Sequence, residues 1–256
     1  MTGHVARLSV LTPRPDCAEP RAQDIKASGL RHASRQSYAA VLGLAAAQAA
    51  LGGQVTDPER LALVVAVEQP QSGPEWTFIE RQIQGGWKSL DPLRFPATLP
   101  SAVSAAIAAA VQSKSCAFSI AAGAGAWMRA ISLAVRLIED DRADVGLAIA
   151  AADAPPPLAA AQRTIYPGIS PMAGAVAICL GAEPRPDEAL LDVSIADDVN
   201  GSGAVPVEAA MPPLTGSLLL GQAYAAADAM SRVRSATVLD PGCRGVPFLR
   251  VAPLSG

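Results

Sequence analysis

Residues 115–153, SCAFSIAAGAGAWMRAISLAVRLIEDDRADVGLAIAAAD, hold the pattern that most limits how this chain can fold. An apolar run at 116–122 leads through Gly123-Ala124-Gly125 into a helical stretch at 127–140, and a second apolar run follows at 145–152. Strand, helix and strand within ~40 residues make a parallel crossover unit. Both strands are apolar on consecutive residues, so their sheet requires helices on both faces. The class is therefore α/β with a layered core.

The rest of the chain fits that class. Residues 6–11 read as a strand that Pro13, Pro15 and Pro20 then interrupt, and His4 falls in a tail before it. Residues 34–51 read as a helix capped by Ser34 and stopped by Gly52-Gly53. A buried strand is expected at 61–68. At 75–87, Trp76, Ile79 and Ile83 recur at helical spacing, and Trp76 and Trp87 are expected to anchor that helix to the core. After a proline-rich loop at 90–100 comes a small-residue helix at 101–112. Residues 173–181 and 189–196 read as adjacent strands, 218–231 as a helix and 248–251 as a closing strand, with loop expected at 200–213.

Composition narrows the function. Half of the residues are hydrophobic, 17% are charged and alanine is about a fifth, so 256 residues can bury a large core of closely packed helices. A net charge of −3 with no basic cluster leaves no electrostatic footprint for nucleic acid or anionic lipid. Cys17, Cys116, Cys179 and Cys243 form neither a disulfide framework nor a metal-ligand spacing, which points to a reducing compartment. No signal-peptide core is present at the start, and no apolar run reaches the ~20 residues of a membrane span. The expected location is the cytoplasm.

The corner at 123–125 is the candidate site. A turn from a buried strand into a helix presents a residue to unpaired amides and a positive dipole end, where a cysteine would be an activated nucleophile. Here the central residue is Ala124. Read instead as a dinucleotide fingerprint, Gly123-Ala124-Gly125 with Asp153 ending the next strand lacks its third glycine, because Met128 stands there. Cys116 and Cys179 read as core thiols, and Cys116 or Ser119 as the conceivable relocated nucleophiles. Glu139, Asp140 and Asp141 put negative charge at a helix C-terminus, an unfavourable end that a partner's Arg or Lys would relieve.

Several ordered motifs resemble the β-ketoacyl synthases of the thiolase superfamily. They are Arg31-His32-Ala33-Ser34-Arg35, Asp57-Pro58-Glu59-Arg60, Asp91-Pro92-Leu93-Arg94-Phe95-Pro96-Ala97-Thr98, Ala143-Asp144-Val145 and Ser170-Pro171-Met172-Ala173-Gly174-Ala175. The resemblance covers about 30–180, the N-terminal half of the family, and leaves 181–256 as a divergent extension of a single domain. It implies a thiolase-like layered fold, a mixed sheet with a buried central helix. It places the family's catalytic cysteine on Ala124, with Gly123, Gly125, Met128 and Phe95 as elbow and acyl-pocket lining.

The family's two further catalytic residues, histidines or a histidine and an asparagine, lie on its C-terminal half; His4 and His32 stand in neither place. What the resemblance then implies is a catalytically inactive, chain-length-factor-like subunit of polyketide, aryl-polyene or fatty-acid-type biosynthesis. It would need no cofactor and no metal. It would form a homodimer, or a heterodimer with an active ketosynthase, and contact acyl carrier protein. The alternatives are a thioester acyltransferase or hydrolase with a relocated nucleophile, and a nucleotide- or small-molecule-binding domain.

Overall fold

The structure, a computed structural model, describes residues 4–14, 30, 36–53, 57–67, 72–121, 125–153, 160, 164, 173–181, 191–196, 236–238 and 248–253. Among these, eight strands form one sheet: β1 (His4–Arg14), β2 (Leu61–Val67), β3 (Ala117–Ile120), β4 (Val145–Ala152), β5 (Ala173–Leu180), β6 (Leu191–Ala196), β7 (Ala236–Val238) and β8 (Phe248–Pro253). Their order is β3-β2-β4-β5-β1-β6-β8-β7. Strands β3, β2 and β4 are parallel, and β5 runs antiparallel to both β4 and β1. Four α-helices accompany them: α1 (Tyr38–Leu51), α2 (Ser72–Gly85), α3 (Ser101–Val111) and α4 (Ala126–Glu139).

Alternation along the central strands splits the core in two. Ala62, Val64 and Ala66 of β2 join Ala148, Ala150, Val176 and Ile178 under α4. Leu61, Leu63 and Val65 join Leu147, Ile149, Ala175 and Ala177 under α1 and α3. This is the two-sided cover that consecutive apolar strand residues require. Helix α1 is apolar nearly all round and buried to match. It starts at Ser37, whose Oγ accepts from the Ala40 amide at 3.2 Å, and ends at Gly52 in the left-handed conformation. Gly43 lets α1 approach α3, since a Cβ there would meet Ile107 Cδ1 at 2.9 Å.

Several expectations are corrected. The cap of α1 is Ser37, three residues after Ser34, which lies outside the described residues. His4 belongs to β1, paired with Val193, and not to a tail. Pro13 does not end β1: the strand continues to Arg14, with its register shifting between Leu11 and Arg14, the kind of irregularity that tolerates a residue without an N–H. Strands β5 and β6 are not neighbours, because β1 inserts between them by pairing with both. Strand β7 was not anticipated. The helix expected at 218–231 and the loop at 200–213 lie outside the described residues.

Two sequence motifs meet at the foot of the parallel strands. Arg60, which precedes β2, donates from Nε and Nη2 to Asp144 Oδ1 at 3.0 and 2.7 Å, and from Nη1 to the Asp141 carbonyl at 2.7 Å. It also pairs with the Asp141 carboxylate. The Asp144 amide returns a bond to the Arg60 carbonyl at 2.9 Å. Asp141, just past the end of α4, thus finds a cation within its own chain.

Hydrogen bonds from Arg60 hold the Asp144 carboxyl below its ordinary range. The stabilisation this gives is complete above the unfolded carboxylate pKa and is lost as pH falls through the lower, folded value. Asp144→Asn should therefore lower the urea midpoint slightly at pH 7. The gap to wild type should close as the pH is taken below the ordinary aspartate range.

Candidate interface around the free sheet edge

Among the described residues, strand β3 ends the sheet and pairs with β2 alone. The Leu63 amide donates to the Cys116 carbonyl at 2.7 Å, so Cys116, Phe118 and Ile120 turn their backbone groups towards β2. The N–H and C=O of Ala117 and Ser119 consequently face outward, with no strand beyond them among the described residues. Sheet edges are normally protected by charge, proline or a bulge. The sequence of β3, AFSI, contains neither a charge nor a proline.

Apolar surface flanks this edge. Every large hydrophobic side chain exposed among the described residues falls between Trp76 and Phe118: Trp76, Ile79, Ile83, Trp87, Leu93, Phe95, Leu99 and Phe118. Ile83 is 78% exposed, Trp87 77% and Phe118 41%. The elements carrying them pack in sequence, α2 on the 3-10 turns at Trp87–Ser89 and Phe95–Thr98, the second turn on α3, and α3 on β3. The rings of Phe78 and Phe95 meet at 5.8 Å. Trp76 and Trp87 therefore do not anchor α2 to the core. The helical spacing is real, but its apolar stripe faces solvent.

Between the turns and α3 lies an open groove of about 820 Å³, lined by Leu93, Pro96, Leu99 and the alanines at 102, 105, 106, 109 and 110, with Gln36 and Gln112 also on its wall. The inner face of α3 is tied to the edge strand by hydroxyls. Ser119 Oγ donates to Ser104 Oγ at 2.9 Å, and Ser104 Oγ donates to the Ser101 carbonyl at 3.1 Å.

The elbow residues are distributed as follows. Gly123 and Ala124 lie outside the described residues. Gly125 caps α4 at φ −74°, an ordinary helical value, and supplies no side chain to the helix start. Met128 is buried in the α4 side of the core. Phe95 is half-exposed on its turn beside α3, which belongs to the opposite face, so the structure does not bring Phe95 and Met128 together.

Cys116 is partly exposed rather than a core thiol, with Arg142 Nη2 at 3.9 Å from its Sγ, whereas Cys179 is buried in β5. Neither Cys116 nor Ser119 has an imidazole nearby among the described residues. His4 sits on β1, four strands from β3, which is ~19 Å of sheet at ~4.8 Å per strand. His32 lies outside the described residues. Among the described residues no His, Cys, Asp or Glu group is arranged to hold a metal, and no helix is long and apolar enough to cross a membrane.

No protein-family model matches the chain, and no curated protein matches it in sequence. Solved structures do match in shape. The ishigamide ketosynthase/chain length factor aligns over 100% of both chains, with a TM-score of 0.71 at 15% identity. A type II polyketide synthase acyl-carrier protein in complex with its ketosynthase bound to the hexaketide gives 0.68 at 14%, covering 98% of this chain and 99% of that one. A ketosynthase in complex with its chain length factor from Xenorhabdus doucetiae gives 0.56 at 13%, covering 96% and 99%. With the layered sheet and buried central helix already in view, the conclusion is that this chain has the fold of the ketosynthases and chain length factors.

Proposed function

We propose that the chain is a catalytically silent, chain-length-factor-like subunit that pairs with an active ketosynthase in polyketide, aryl-polyene or fatty-acid-type biosynthesis. One observation carries this reading: among the described residues, the exposed large hydrophobic side chains fall in one run of elements beside a sheet edge that no described strand covers. Exposed apolar patches on that scale mark interaction surfaces. A standard interface takes ~800 Å² from each partner, and eight large side chains exposed to this degree supply area of that order.

A ketosynthase-fold partner suits the surface. Its own edge strand would satisfy the outward groups of Ala117 and Ser119, while its apolar side chains covered Trp87 and Phe118 and entered the groove on α3. Two of the structural neighbours are described as a ketosynthase together with a chain length factor, and a third as a ketosynthase with its acyl-carrier protein. Silence is supported by Ala124 at the position the resemblance assigns to the nucleophile, and by the distance of His4 from the edge strand. The subunit's contribution is then shape, a wall for the partner's acyl tunnel.

Co-expression with ketosynthases from the same source, followed by native mass spectrometry, tests the pairing. A 1:1 complex is expected. Recovery of the chain with neither a ketosynthase nor an acyl carrier protein overturns it.

A further inference from the structure

Helix α2 and the two 3-10 turns after it are joined to the molecule differently from the other helices. Between Pro74 and Pro100, Ala97 is the single buried residue. By contrast, α1 and α4 each bury nine of their 14 residues. Neither cluster of the core takes a side chain from this stretch.

The bonds of the stretch close on itself. Ser89 Oγ donates to the Arg81 carbonyl at 2.6 Å and lies 2.7 Å from the Gly86 carbonyl oxygen. The Gly86 amide donates to the Gln82 carbonyl at 2.9 Å, and Arg94 pairs with Asp91 at 3.5 Å. The Phe78 and Phe95 rings, which meet each other, also lie within it. Its joint with the rest is the Phe95–Thr98 turn, which holds Ala97 and packs on α2 and on α3. Segments with few apolar contacts to the core and an exposed backbone open at far lower cost than the core itself. A 14-residue helix is also at the margin of holding itself in water, so α2 keeps its shape only while its turns support it.

We propose that α2 and its two turns form a strap over the α3 groove, which opens as one unit while the sheet and the helices on its two faces stay folded. Leu93, Pro96, Ala97 and Leu99 make one wall of that groove and the alanines of α3 the other, so opening the strap takes the groove apart and closing it restores the wall. The motion belongs to the unpaired chain. It stands or falls separately from pairing with a ketosynthase, because it is measured with no partner present.

Native-state hydrogen exchange of the full chain, read by mass spectrometry, tests the strap. Amides of α2 should exchange at least ~100-fold faster than those of α1 and α4, yet more slowly than in an unfolded chain. Ala97→Asp puts a carboxylate into the buried joint between the turn, α2 and α3. It should speed exchange in α2 by a further ~10-fold or more and leave α1 and α4 within ~2-fold of wild type. Three results overturn the proposal. The first is exchange in α2 as slow as in α4, or with no protection at all. The second is no acceleration by Ala97→Asp. The third is acceleration shared equally by α1 and α4, which would make the stretch part of the core's own folding unit.

Discussion

Aspartate at both Trp87 and Phe118 is expected to weaken pairing with a ketosynthase at least ~100-fold while leaving this chain folded. Trp87 is 77% exposed and Phe118 41%, so neither supports the core to any large degree. Substitution at a position as exposed as Trp87 typically moves stability by no more than ~0.5 kcal/mol, and the more buried Phe118 adds a moderate loss that leaves the fold intact. In a complex both side chains would be desolvated, and a carboxylate there would be buried without a partner charge. Sedimentation of the mixed proteins measures the first effect and a circular-dichroism melt the second. Unchanged pairing would remove the apolar surface from the account; a collapsed melt would mean that these side chains hold the fold after all.

The largest effect on stability is expected from Gly181→Ala. Gly181 follows β5 at φ +72°, and a Cβ there would lie 2.5 Å from the Asp144 carbonyl oxygen. That oxygen cannot easily retreat. The Asp144 amide is bonded to the Arg60 carbonyl, and its carboxylate is gripped by the Arg60 guanidinium. Left-handed backbone and overpacking together put the loss at about 2–4 kcal/mol, read as a lower urea midpoint at pH 7. A midpoint equal to wild type would contradict the close approach of the β5 turn to the foot of β4.

The parallel unit was legible because its signal is local. Consecutive apolar residues at 61–67 and 145–152 specify strands buried on both faces, and these became β2 and β4. Strand order was not legible, because β1 reaches its place between β5 and β6 through pairings with residues far away in sequence. The direction of the α2 stripe was also hidden. Helical spacing shows that Trp76, Ile79 and Ile83 share a face, but not whether the chain's own core or a partner covers it.

Of the candidate site, the motifs at Arg60 and Asp144 could be read separately, whereas their ion pair required the fold. In the sequence Trp127 is only the first residue of the helical stretch at 127–140. That its indole N–H finds no partner among the described residues depends on what surrounds the ring, which no sequence pattern encodes.

Reconstitution tests the pairing and the silence of this chain together. A ketosynthase that forms the complex is supplied with acyl carrier protein and extender thioester, with and without this chain, and products and intact protein masses are recorded together. Full-length products are expected only when this chain is present, with acyl mass appearing on the ketosynthase and none on this chain. An acyl adduct on this chain, or the same products in its absence, would contradict that expectation.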